Sequence, residues 1–242
     1  HVEVVKALLD AGAAVDQACT EDGTTPLFIA SQQGHVEVVK ALLNKEGIDI
    51  NQGRTDGTTP LSVAAEEGHL EVVKALLDKG AAVDQALTDD GATPLFIAAQ
   101  EGYFEIVQAL LDRGAAVDQA CTDDGTTPLF IAAQKGKLDV VQALFTHIET
   151  IQFTNPKDFE AFQRDLIRVS ELATLSEEMQ RLCKDKAKQM REWSPDRAAF
   201  ISAVVRATAS GPATAFSFRA GAEAGLKQPC TGGSDPKDQG PR

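Results

Sequence analysis

One feature constrains this chain more than any other: it repeats. The segment Asp-Gly-Thr/Ala-Thr-Pro-Leu recurs at Asp22, Asp56, Asp90 and Asp124, at steps of 34 residues. A short apolar stretch follows each copy, then a Gly, then a second apolar stretch such as His35 to Leu43 or His69 to Leu77. A partial copy of the second stretch opens the chain, from His1 to Leu9. A period of this length means one small structural unit stacked on copies of itself.

Local chemistry makes each unit a pair of antiparallel helices. Thr25 can cap the first helix with its hydroxyl, and Pro26 at the first helical position loses no needed N–H. The pair recurs as Thr59-Pro60, Thr93-Pro94 and Thr127-Pro128. Leu27, Ile29, Ala30 and the Ala or Ser after it supply a narrow apolar face that lets neighbouring helices approach closely. Gly34, Gly68, Gly102 and Gly136 end that helix, where a left-handed residue is cheap for Gly. The second helix has apolar spacings of three and four, as in Leu70, Val73, Leu76 and Leu77, and Gly80 and Gly114 stop it. The Ala-Ala-Val-Asp-Gln and Asp-Gly segments that follow read as an extended arm with a turn. Alone, the unit cannot bury both its apolar faces.

The pattern Gly-Thr-Pro-Leu-x-x-Ala-Ala-x-x-Gly-His-x-Glu-Val-Val-x-x-Leu-Leu-x-x-Gly-Ala resembles the ankyrin repeat over residues 1–145. The resemblance implies an all-α solenoid of stacked helix pairs with hairpin-like loops. Two departures stand out. Phe28, Ser62, Phe96 and Phe130 occupy the place after Thr-Pro-Leu where the family usually has His. Each repeat is also one residue longer than the family's usual 33. The chain opens inside a unit, without Met, which leads us to expect a fragment.

From Asn155 the pattern changes. Phe159, Phe162, Leu166, Val169 and Ala173 recur at helical spacing, Ser176 can cap a helix carrying Met179 and Leu182, and Ser194-Pro195 opens another. We expect a helical extension over residues 146–210, docked on the last repeat. Residues 211–242 hold six Gly and four Pro with few large apolar groups, a composition that predicts a disordered tail.

Charge and motifs narrow the function. Of the net −13, residues 1–145 contribute 23 acidic and 9 basic side chains, against 13 and 14 in the remainder. The repeats therefore make a poor nucleic-acid binder. There is no apolar run long enough to span a membrane. Cys19, Cys121, Cys183 and Cys230 form no CxxC pair, so a zinc site or disulfide scaffold is not expected, and a reducing, cytoplasmic compartment is. Cys19 and Cys121, three repeats apart, read as small buried hydrophobes rather than disulfide partners. No nucleophile elbow, zinc-binding helix or phosphate-binding loop is present. His35 and His69 stand where Tyr103 and Lys137 stand in other copies, which gives them a structural role. An EF-hand reading of Asp123-Asp124-Gly125 fails at Ala120 and Ile131. No enzymatic activity, cofactor or metal is expected.

What remains is a row of variable polar positions. By resemblance, ankyrin repeats bind partners through the hairpin tips and the outer face of each first helix. Here the tips are Glu21-Asp22, Arg54 with Asp56, Asp89-Asp90 and Asp123-Asp124. The first-helix positions are Gln32-Gln33, Glu66-Glu67, Gln100-Glu101 and Gln134-Lys135. Together they imply a mostly acidic concave strip and a protein partner with a basic surface or segment. Against this, Asp-Gly turns carry Asp for conformational reasons alone. The alternative is a targeting role, with the repeats serving a regulatory or effector activity in residues 146–210 or upstream of His1.

Overall fold

The computed structural model describes residues 2–122, 125–150, 166–169, 172 and 175–189. The tail expected at 211–242, most of the extension and the tip pair Asp123-Asp124 lie outside the described residues.

Two layers of short helices are built by the repeated caps. First helices are α2 (Pro26–Gln32), α4 (Pro60–Glu66), α6 (Pro94–Glu101) and α8 (Pro128–Gln134). Second helices are α1 (Val2–Asp10), α3 (Val36–Leu43), α5 (Leu70–Asp78), α7 (Phe104–Asp112) and α9 (Leu138–Thr150). Each Thr before a Pro caps as the sequence predicts. Thr25, Thr59, Thr93 and Thr127 accept the backbone N–H of Phe28, Ser62, Phe96 and Phe130 at 3.1, 3.1, 3.2 and 3.3 Å. Ser62 completes a reciprocal box by accepting Thr59 N–H at 2.8 Å.

Successive first helices pack on one another, and successive second helices do the same. Ala64, Ala65, Ala98, Ala99, Ala132 and Ala133 are buried in the first layer, and their small size permits the close approach. Leu76, Leu77, Leu110, Leu111, Leu144 and Phe145 fill the second. At the turn between layers the glycines do more than reverse the chain. Gly34 has φ +68°, and a Cβ there would lie 2.7 Å from the His69 ring. His69 Nε2 in turn sits 3.0 Å from the Gln32 carbonyl one unit back, so this histidine fastens neighbours together.

Between units, the loops form hairpins closed by bonds such as Arg54 N–H to Thr58 O and Leu87 N–H to Ala92 O, both 2.9 Å. Each hairpin donates to the one before: Thr55, Thr88 and Thr122 N–H reach the carbonyls of Asp22, Asp56 and Asp90 at 3.0, 3.1 and 2.8 Å. A second ladder escaped the sequence reading. Asp16, Asn51 and Asp84 side chains accept Asp49, Ala82 and Ala116 N–H at 2.8, 2.8 and 2.9 Å.

The two ends differ. Helix α9 runs on past residue 145, where the repeat pattern stops. Beyond it, Leu166, Val169, Leu175 and Met179 join the buried core, and Ser176 caps α10 (Glu177–Gln189) by accepting Met179 N–H at 3.2 Å. Arg168 donates to the Gly125 carbonyl at 2.8 Å and lies 4.3 Å from the centre of the Phe130 ring. It thus contacts the last hairpin on the side where each earlier hairpin meets its successor.

At the other end, α1 buries none of its residues, and Val4 and Leu8 are 57% and 56% exposed. Two sequence expectations fail here. Ile29 is exposed, whereas at the same place in later units Val63 and Ile131 are buried and Ile97 is partly buried. Phe28 takes its place in the buried face. Cys19 is likewise exposed while Cys121 is buried. The Cys19 hairpin has a neighbour on one side, whereas the Cys121 hairpin lies between that of Asp90 and Arg168.

Stability should follow this gradient. Amide exchange in this chain is expected to be faster at residues 2–20 than at residues 60–110, because α1 buries none of its residues. Equal protection would contradict it. Thr93→Ala should lower the urea-derived stability by about 1 kcal/mol through loss of its cap.

Candidate functional site

The sequence-predicted tips and first-helix ends are brought together only in part. In the hairpins, Asp22, Asp56 and Asp90 each turn a carboxylate back onto their own loop. They accept the N–H of Thr24, Thr58 and Ala92 at 3.0, 2.9 and 2.9 Å. These bonds are the conformational task of an Asp-Gly turn. Hydrogen bonding from Thr24 and Thr58 holds the Asp22 and Asp56 carboxyls below the usual carboxylate range, and the Arg54 charge adds to this.

Arg54 links two tips. Its Nε is 3.5 Å from Asp22 Oδ2, its Nη1 is 3.7 Å from Asp56 Oδ2, and its guanidinium lies 5.6 Å from the Phe28 ring centre. An arginine at a tip therefore serves the fold, and Phe28 supplies a surface for it to cover. Sequence spacing alone could not reveal this: the 33-residue step from Asp22 to Thr55 brings Arg54 beside the earlier tip only once the hairpins stack. Glu21 and Asp89 are exposed at their turns.

At the far ends of the first helices the chemistry changes. Glu66 and Glu67 end α4, and Gln100 and Glu101 end α6, with Gln100 donating to Glu101 Oε1 at 3.1 Å. Partial withdrawal from water raises the Glu66 carboxyl above its ordinary range, and the charges of Glu67, Glu101 and Asp56 push it further. Four carboxylates from two adjacent units thus share one neighbourhood. Gln33, Gln134 and Lys135 are exposed at the equivalent places on α2 and α8, and Gln32 is half-buried, with its carbonyl beside His69. The strip is accordingly acidic at its centre and neutral or basic at its flanks.

No group of three or more His, Cys, Asp or Glu among the described residues could hold a metal ion. No helix among them is long and apolar enough to cross a membrane. A family model described as ankyrin repeats (three copies) matches residues 1–86 and 83–155. No curated protein matches the chain.

Glu66 provides a test of this electrostatic crowding. Partial burial and neighbouring carboxylates hold its folded-state pKa above the usual carboxylate value, so its contribution to stability is present below the unfolded pKa and is lost as pH rises through the folded one. Glu66→Gln should therefore be more stable than the parent at neutral pH, by less than about 1 kcal/mol for so exposed a group. The advantage should vanish in acid. A parent that is the more stable of the two at neutral pH would refute the crowding.

Proposed function

The chain belongs to the ankyrin-repeat family, and from that membership we propose that it is a non-enzymatic scaffold that captures a protein partner on the acidic first-helix side. Ankyrin repeats are in general protein–protein interaction modules. The observation that carries the finer reading is the convergence of Glu66, Glu67, Glu101 and Asp56: partial burial raises the Glu66 carboxyl, and repulsion from the other three adds to it. A basic segment laid across α4 and α6 would relieve that repulsion, which is the electrostatic complementarity that steers encounter and excludes wrong partners.

The tip aspartates contribute differently. With their carboxylates bonded into their own turns, Asp22, Asp56 and Asp90 set the shape of the rim, while Glu21 and Asp89 remain available to a partner. The rival reading, an effector activity in residues 146–210, gains no support from Leu166, Val169 and Met179, which are buried as part of the core.

The test is capture from a lysate on the immobilised chain, followed by affinity measurement with the captured protein. Reversing Glu66, Glu67 and Glu101 to Lys should weaken binding by about tenfold or more, since each exposed pair contributes up to about 1 kcal/mol. Raising salt should weaken the parent complex too, because exposed charges are screened over about 8–10 Å near physiological ionic strength. Glu71→Lys is the control, since Glu71 lies on the second helix and is paired with Lys74 at 2.9 Å. Unchanged affinity in the triple variant would reject the acidic first-helix side as the binding surface.

A further inference from the structure

The second-helix layer has its own pattern of charge, which breaks midway along the stack. In the first three units a lysine neutralises the acid at the start of each second helix: Lys6 with Glu3, Lys40 with Glu37 and Lys74 with Glu71, at 3.2, 3.0 and 2.9 Å. At the same register, α7 and α9 have Gln108 and Gln142 while keeping the acids Glu105 and Asp139. A second row bridges successive units at the other end of these helices. Lys45 pairs with Asp10 at 2.8 Å, Lys79 donates to Asn44 at 2.9 Å, and Arg113 pairs with Asp78. One period on, the acid is Asp112 and the residue in the cation's place is His147.

The break coincides with a groove. Between α7 and α9 lies an open cavity of about 910 Å³. Phe104, Leu111 and Ala143 supply its apolar lining, and Glu105, Asp112 and Asp139 its acids. Tyr103 also lines it, 37% exposed, with its ring over Gly68 of the preceding unit. A Cβ on Gly68 would lie 2.7 Å from that ring, so the tyrosine packs where only a glycine leaves room. Among the described residues, none of these three carboxylates has an ion-pair partner.

We propose that this groove is a second docking surface, distinct from the first-helix side, for a short peptide segment of a protein partner that alternates basic and apolar residues. Its volume is in the range of a built binding cleft. Glu105 and Asp139 lack the lysines that their counterparts in α1, α3 and α5 possess, and Asp112 lacks a Lys or Arg like those paired with Asp10 and Asp78, so cations from outside the chain complete the row. The apolar lining takes the intervening side chains. The proposal stands apart from the first-helix reading, because it uses none of the same side chains.

Tyr103 is the chain's single tyrosine, so labelling with fluorotyrosine places one ¹⁹F reporter in the groove. The probe is a synthetic octapeptide of alternating Arg and Leu, with the Glu–Leu octapeptide as its charge-reversed control. Titration with the Arg–Leu peptide should shift the Tyr103 signal saturably, and the control peptide should not. The triple variant Glu105→Gln, Asp112→Asn, Asp139→Asn should weaken binding about tenfold, three exposed pairs being lost. The double variant Glu66→Gln, Glu67→Gln should leave the Tyr103 titration unchanged. Circular dichroism of each variant checks that the stack is intact. A peptide that binds without moving the Tyr103 signal, or equally well to the triple variant, overturns the groove. If its binding then falls in the Glu66/Glu67 variant, the first-helix reading survives alone. Absence of binding by the Arg–Leu peptide also overturns it.

Discussion

Everything in this structure depends on burial between neighbours. A single helix pair has two apolar faces and no partner within itself for either. Ala64, Ala65, Ala98 and Ala99 are almost wholly buried because the next first helix comes close, and it comes close because these side chains are small. In such a stack stability is close to a sum of unit and interface terms, so each missing interface is felt locally. Helix α1, which packs on a second helix on one side only among the described residues, buries none of its residues, whereas α5 and α7, each between two others, bury four apiece.

Much of this was legible in the sequence because the signals are local. A Thr-Pro step specifies its own cap, and a Gly after a short helix specifies its own left-handed turn, so both could be read without tertiary information. The stack also repeats each signal, which makes the period unmistakable. What could not be read were features created by stacking. His69 reaching the Gln32 carbonyl, Asp84 accepting Ala116 N–H, and Arg54 bridging Asp22 and Asp56 all join residues a unit apart or span adjacent tips. Cys19 and Cys121 share a sequence context yet differ in burial, because the difference lies in their neighbours.

The candidate binding residues sort along the same line. Tip aspartates chosen for their position turn out to be hydrogen-bonded within their own turns, which limits what they can offer a partner. The ends of α4 and α6, by contrast, carry carboxylates that repel one another across a unit boundary. Repulsion retained at a surface where the fold gains nothing from it is a reason to look for a cation supplied from outside. On the second-helix side, most acids near the start of the chain are matched by lysines, whereas those of α7 and α9 are not. Charge on this solenoid is thus patterned by unit and by face, a level of organisation that the net value of −13 conceals.

The central claim is that the repeats themselves present the recognition surface. The most direct measurement is hydrogen exchange on the chain saturated with a captured protein partner, compared with the free chain. The account predicts slowed exchange at residues 66–68 and 100–102, where α4 and α6 end. Slowing confined to residues 175–189, with the repeats exchanging as in the free chain, would contradict it and place recognition on the helical extension.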